Sequence, residues 1–312
     1  MKKIYILLGF ALLLLIVVGM KIVQRNNWSQ EINAAVKNGD LKTVEKLLNE
    51  GVNVNSVDKY GYNILMTALG VGEFEMASFL IDKGADVHHE SKLENNPLEV
   101  AIRSKNVAIV RKLVENGANI HEKWFKGMCP VVLAAIHSPE ILEFLIEKDV
   151  DVNVETDDGM TALAYAVDGK DLKPVKLLVD NGAKINKQDI FGTAPIHLSG
   201  SYEIMKYLIS KGADVNIQEN MGHAPLNMFY GRPEYVELLL DNGADIDLQR
   251  SDGETPLHKA IRKKRIESAK LLIKRGANVF IKDHNGRTPL DVAYKYEVDE
   301  DLIDLLKRQM EK

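Results

Sequence analysis

Several residue groupings in this chain carry the raw material of catalysis or metal binding, and none completes a site. Histidine precedes glutamate twice, at His89-Glu90 and His121-Glu122. A helical zinc-peptidase site needs a second histidine one turn further on, so that both rings face one ion, and neither place supplies it. Gly169-Lys170 is followed by Asp171 and not by the Ser or Thr of a phosphate-binding loop. No Gly-x-Ser-x-Gly elbow occurs for a serine nucleophile. His88 and His121 occupy equivalent slots, with His89 beside the first, but no carboxylate or cysteine stands at a fixed ligand spacing from them. Cys129 is the single cysteine, which excludes an intrachain disulfide framework and paired-cysteine metal sites. No catalytic residue, cofactor or metal is assigned. A net charge of −5 gives no general attraction to nucleic acid. One dense basic cluster remains, Arg262-Lys263-Lys264-Arg265, at the junction of two helices. It reads as a solvated helix end, with contact to anionic lipid headgroups or an acidic partner as the functional alternative.

The elements that must position these residues are periodic. Eight helix-end residues are each followed thirteen positions later by the second residue of a Thr-Pro-Leu-His-like tetrapeptide. The pairs are Gly51/Ile64, Gly84/Pro97, Gly117/Pro130, Asp149/Ala162, Gly182/Pro195, Gly212/Pro225, Gly243/Pro256 and Gly276/Pro289, spaced 30 to 33 residues apart. A leucine stands four residues before every helix end: Leu47, Leu80, Leu113, Leu145, Leu178, Leu208, Leu239 and Leu272. An aliphatic residue follows each of these leucines, which gives an amphipathic helix turned toward a neighbour. Glycine then accepts the left-handed conformation at the helix stop, and Asp149 takes that position once. A β-branched residue, a short hairpin and a helix that Pro opens in six of the eight complete each copy. The fixed stop-to-tetrapeptide distance places the losses of the two shortest copies between or within their helices, near Ser199-Gly200-Ser201 and Gly231-Arg232-Pro233-Glu234, where the stack should be locally disturbed.

This pattern resembles the ankyrin repeat, most closely at Thr255-Pro256-Leu257-His258 and Thr288-Pro289-Leu290-Asp291. The resemblance implies an all-α solenoid of about nine helix pairs with short β-hairpin fingers over residues 29–312, ending in a polar cap around Glu297, Asp299, Glu300, Asp301 and Asp304. It also implies that His197 and His258 brace their turns by hydrogen bonds, and that the chain binds protein and is not an enzyme. Ankyrin hairpin tips are ordinarily polar, yet here they carry Tyr60, Leu93, Trp124, Phe125, Ile190, Phe191 and Met221. Large apolar residues in a solvent-facing turn mark a contact surface, so these seven are the expected partner-binding residues. The alternative is that they fold back onto neighbouring tips.

Ahead of the repeats, Lys2 and Lys3 (residues 1–3) precede an uncharged run from Ile4 to Met20, which Ile22-Val23 can extend. Its length suits a transmembrane signal anchor over 4–23 better than the shorter core of a cleaved signal peptide. Residues 24–28 form a linker. The two leading lysines favour a cytoplasmic amino terminus, which puts the repeats on the far side of a single-pass membrane protein, in the periplasm if the membrane is a bacterial inner membrane. The expectation is a monomeric, membrane-tethered binder of one partner protein, without nucleic acid. Immunity or accessory function toward a secreted toxin or lipase is one narrower reading, and an envelope scaffold with several weak partners is another.

Overall fold

A computed structural model describes residues 30–311, so the expected membrane segment at 4–23 and the linker at 24–28 lie outside the described residues. Among the described residues every regular element is helical, and no helix is long and apolar enough to cross a membrane. The chain divides at Val150–Asp151 into two compact units.

The first unit holds four helix pairs: α1 (30–37) with α2 (Leu41–Asn49), α3 (Ile64–Val71) with α4 (Phe74–Asp82), α5 (Pro97–Arg103) with α6 (Val107–Glu115), and α7 (Pro130–His137) with α8 (Pro139–Glu147). The row α3, α5, α7 packs side by side, and α4, α6, α8 form a second row behind it. Leu80, Leu113 and Leu145 are fully buried between the rows, so the leucine period is the packing period. Burying each such side chain is worth about 2 kcal/mol, which a single helix pair cannot realise without its neighbour.

The second unit repeats the plan with five pairs. They are α9 (Ala162–Asp168) and α10 (Leu172–Asp180), a 3-10 turn (Pro195–Leu198) and α11 (Tyr202–Ser210), α12 (Pro225–Phe229) and α13 (Pro233–Asp241), α14 (Pro256–Arg262) and α15 (Ile266–Lys274), and α16 (Pro289–Lys295) and α17 (Glu300–Met310). The two short copies lose their residues from the inner helix. In one it shrinks to the 3-10 turn, and in the next to the five residues of α12. A stacked cluster closes over the shortened elements: Tyr202 lies edge-on to Tyr235 at 5.5 Å, and Phe229 stacks on Tyr235 at 5.2 Å. The Tyr235 hydroxyl donates to the Gly200 carbonyl at 3.3 Å, tying down the shortened loop.

The hairpin fingers correct one expectation. They are turns without strands, and only single bridges pair Val57 with Asn63 and Glu155 with Thr161. The fingers are too short for a ladder of their own, and five of them are held by a main-chain bond from the next one along instead. In the first unit Lys92 N–H donates to the Tyr60 carbonyl at 3.2 Å. In the second unit Ile190 donates to Asp158, Asn220 to Phe191, Ser251 to Met221 and His284 to Asp252, at 2.9–3.1 Å. Gly222 shows why a glycine closes the finger: its φ is +78°, and an added Cβ would meet Ser251 N at 2.7 Å.

The helix stops and turn braces follow the sequence reading. Asp149 sits at φ +60° in the glycine slot. His197 Nδ1 accepts from Ala194 N–H at 2.9 Å, and its Nε2 pairs with the Ile217 carbonyl at 3.0 Å. His258 repeats this with the Thr255 hydroxyl at 2.8 Å and the Arg287 carbonyl at 3.0 Å. Burial pushes both rings below the usual histidine value, so the neutral form is the structural one.

Candidate interaction surface

Six large apolar side chains meet solvent at the fingertips, and Phe280 and Tyr294 are as exposed away from them. Tyr60, Leu93 and Phe125 in the first unit, and Ile190, Phe191 and Met221 in the second, are each 52–67% exposed. These six therefore do not fold back onto neighbouring tips. Trp124 differs: it is half-buried, and its indole N–H donates to Glu122 at 3.0 Å. The geometry has a simple cause. Main-chain groups at Tyr60, Phe191 and Met221 are spent on the next finger, while the side chain at the apex of the turn has no layer above it.

In the first unit two grooves gather four of the seven expected residues. One, of about 530 Å³, lies between the second and third fingers over α5, with Leu93, Trp124, Phe125 and Met128 as apolar wall and Glu99 and Arg103 as polar floor. Glu99 is buried, is fixed by Asn96 through its main chain at 2.9 Å, and holds Arg103 through two contacts of 2.9 and 3.0 Å. Lys126 stands 5.4 Å over the Phe125 ring at the rim. His137, at the end of α7, is held below the usual histidine value by burial and then by Arg103 and Lys105. The other groove, of about 720 Å³, runs between α1 and the first finger and is lined by Ala34, Lys37, Val57, Lys59 and Tyr60 among others. Grooves of this size, with apolar side chains set among polar and charged groups, can seat anchoring side chains of a partner.

In the second unit the last three fingers carry paired polar side chains on their inner side, while the first two hold Thr156/Met160 and Asp189/Thr193 in the same slots. The i, i+4 pairs Glu219–His223 (2.7 Å), Arg250–Glu254 (3.7 Å) and Asp283–Arg287 occupy the same two slots in three successive copies: the last two are ion pairs of opposite order, and the first is a hydrogen bond to a histidine that burial holds below its usual value. The matching slots in the first unit hold Asp58/Tyr62, Ser91/Asn95 and Trp124/Met128, none of them an ion pair. Glu254 is buried and is also gripped by Arg262 at 2.9 Å. Beside it Lys259 lies 5.2 Å over the Tyr230 ring, and burial, then Arg250 and Arg262, bring its amine down to about 8.

The sequence placed these apolar residues at the tips and did not single out Glu99 and Arg103 beneath them. Their signal was available: an acid–base pair four residues apart on an inner helix sits directly beside two of the apolar tips. His88, His89 and His121, for which the sequence assigns no metal, form no site here either. His89 Nε2 is engaged by the Gly61 carbonyl at 2.6 Å, and among the described residues no three His, Cys, Asp or Glu side chains gather as a metal site. Cys129, in the Thr slot before α7, is buried.

Comparison with known proteins agrees with this architecture. The family model described as ankyrin repeats (3 copies) matches residues 32–124, 119–189, 169–250 and 227–311. A fowlpox virus (strain NVSL) protein named for ankyrin repeats is 37% identical over 51 residues, which span 16% of this chain and 8% of the viral one. The repeat period, the paired helices, the braced turns and a family match over nearly all of the described residues make this chain a member of the ankyrin-repeat family.

Proposed function

We infer that this chain works as a protein–protein interaction module, the role that its ankyrin repeats indicate. We propose that it is non-catalytic, that the apolar run at 4–23 tethers it to a membrane as a single-pass anchor, and that it grips one partner protein through its fingertips and inner helices. The observation that carries the partner surface is the set of large apolar fingertip side chains, more than half exposed, in turns whose main chain is already satisfied. Exposed apolar side chains on a rigid support bind with little ordering entropy, because the backbone that presents them is fixed before the partner arrives. The anchor is supported by seventeen uncharged residues behind two lysines, and the far-side orientation by the placement of those lysines. A dedicated inhibitory or accessory role toward a secreted protein would use one tight partner, and a scaffold would use several weak ones.

Site-specific photo-cross-linking tests the surface. A benzoylphenylalanine at position 125 should capture a discrete partner in the native membrane, while the same probe at Lys42 on α2 should not. Capture from position 42 alone would remove the fingertips as the surface. Alkaline carbonate extraction tests the tether: the chain should stay with the membrane pellet, and its release would exclude a spanning anchor.

A further inference from the structure

Lys259 is the fourth residue of its inner helix, α14. The matching slot holds Thr67, Val100 and Leu133 in the first unit and Tyr165, Leu198, Met228 and Val292 in the second, all of them uncharged. The lysine that replaces them is half-buried. Among the described residues its amine makes no hydrogen bond or ion pair, and it rests over the Tyr230 ring, 5.2 Å from the centroid.

The acids nearby are already taken. Arg262 grips both oxygens of buried Glu254 at 2.9 Å, and Arg250 holds Asp252 at 3.0 Å and Glu254 at 3.7 Å. Burial acts most strongly on the Lys259 amine, and next come the like charges of Arg250 and Arg262, ahead of Glu254 and Asp252. His223, in the preceding finger, is a further titratable neighbour; burial, then Lys259 and Arg250, hold its ring below the usual value. Behind α14, the packed helix α15 buries the apolar Ala269, Leu272 and Ile273. A half-buried amine beside two cations, with no carboxylate of its own, favours the neutral form, and the neutral amine is a nucleophile.

The surroundings also indicate the electrophile. The side chains of Arg250 and Arg262 are 19% and 24% exposed, and a guanidinium has more donors than Glu254 and Asp252 occupy here. They are placed to meet an incoming phosphate, the anion that guanidinium groups bind most readily beside carboxylate. The Tyr230 ring gives a short acyl chain an apolar face.

We propose that Lys259 is a nucleophilic lysine acylated by a small acyl phosphate, whose phosphate Arg250 and Arg262 hold while the amine attacks the carbonyl carbon. The N–C bond forms and the C–O bond to the phosphate breaks. Phosphate leaves with that electron pair and takes up the proton that the amine gives up. The product is a neutral amide, which removes the repulsion from the two arginines. The reaction needs no partner protein, so its outcome is independent of the fingertip surface.

The full chain in mild detergent is treated with acetyl phosphate at pH 7.5, and initial acetylation rates are read lysine by lysine through peptide mass spectrometry. At that pH about a quarter of an amine at about 8 is neutral, against about 0.1% of an ordinary lysine, and the weaker nucleophilicity of a less basic amine offsets part of that gain. Lys259 should therefore react about tenfold faster than the exposed Lys42 and Lys263, and inorganic phosphate should slow Lys259 selectively. Its rate should level off above about pH 8, where that of Lys42 still climbs about tenfold per pH unit. The lead should be smaller with acetic anhydride, which carries no phosphate, and Arg250→Gln should reduce it severalfold. A rate at Lys259 no greater than at Lys42 overturns the proposal, as does an equal lead with both reagents or an unchanged lead in Arg250→Gln. The wild-type rates decide the matter even where that variant fails to fold.

Discussion

Asp247 shows how one atom separates a good repeat junction from a strained one. In the same slot Asn153, Asn186 and Asn216 each accept the N–H two residues past the next glycine and donate their amide to that glycine's carbonyl, at 3.0–3.1 Å. Asp247 accepts from Asn278 N–H at 2.9 Å but, ionised, has nothing to donate to Gly276. Burial and then the neighbouring Asp245 raise its carboxyl above the usual value, against the bond from Asn278. A raised folded value means that protonation favours the folded state, so this contribution is present at low pH and lost as pH rises through the folded pKa. Asp247→Asn should therefore stabilise the protein at neutral pH by about 1 kcal/mol, and the gain should shrink on acidification, read as denaturant midpoints across pH. Asp283 behaves oppositely. Burial alone would raise it, but Arg287 (Nε to Oδ2, 2.7 Å) and main-chain N–H groups hold it at about 2. Its stabilisation is present above the ordinary carboxylate value and disappears as pH falls toward about 2. Asp283→Ala should cost about 2–3 kcal/mol at pH 7, leaving Arg287 without its partner, and the cost should vanish in acid. The glycine stops and the histidine braces were legible as residue types at fixed offsets. The row of paired side chains was not, because Glu219, Arg250 and Asp283 become neighbours only when copies about thirty residues apart are stacked.

At the scale of elements, the inner helices and fingers set the weak and strong places. The 30-residue copy leaves room only for the 3-10 turn Pro195–Leu198, with poorer hydrogen bonding than a full helix. Amide hydrogen exchange at 195–198 should be faster than in α14, where Leu257, Ala260 and Ile261 are buried on a regular helix; equal protection in the two would contradict this. The period revealed that residues were missing and where the gap could lie, but not that the inner helix alone would absorb it. That outcome depends on Tyr202, Phe229 and Tyr235 filling the space, a packing fact with no periodic signature. Finger closure is the other element-level constraint. Gly222→Ala combines a left-handed backbone with a contact to Ser251 N, and should destabilise by more than about 1 kcal/mol, measured by chemical denaturation. An effect within a few tenths would show that the finger can shift freely. Strands were expected in these fingers because hairpin and turn share one sequence signal, and the length needed for a ladder is lacking.

For the whole molecule, the two units carry one plan with different surfaces. The first presents grooves in which Leu93, Trp124, Phe125 and Tyr60 stand among polar and charged groups, and the second carries ion pairs on the inner side of its last two fingers and exposes Ile190, Phe191 and Met221. Binding energy concentrates where aromatic and apolar anchors desolvate, so the first unit's grooves should dominate the affinity and the ionic rows should chiefly fix register. The direct test is affinity purification of the full chain from detergent-solubilised host membranes, beside a variant with Tyr60, Leu93 and Phe125 changed to Ser, both checked for equal helicity and melting temperature. A stoichiometric partner that the wild type retains and the folded variant loses is the predicted result. The same partners recovered with both chains would contradict a fingertip surface and move the contact to other faces of the repeats.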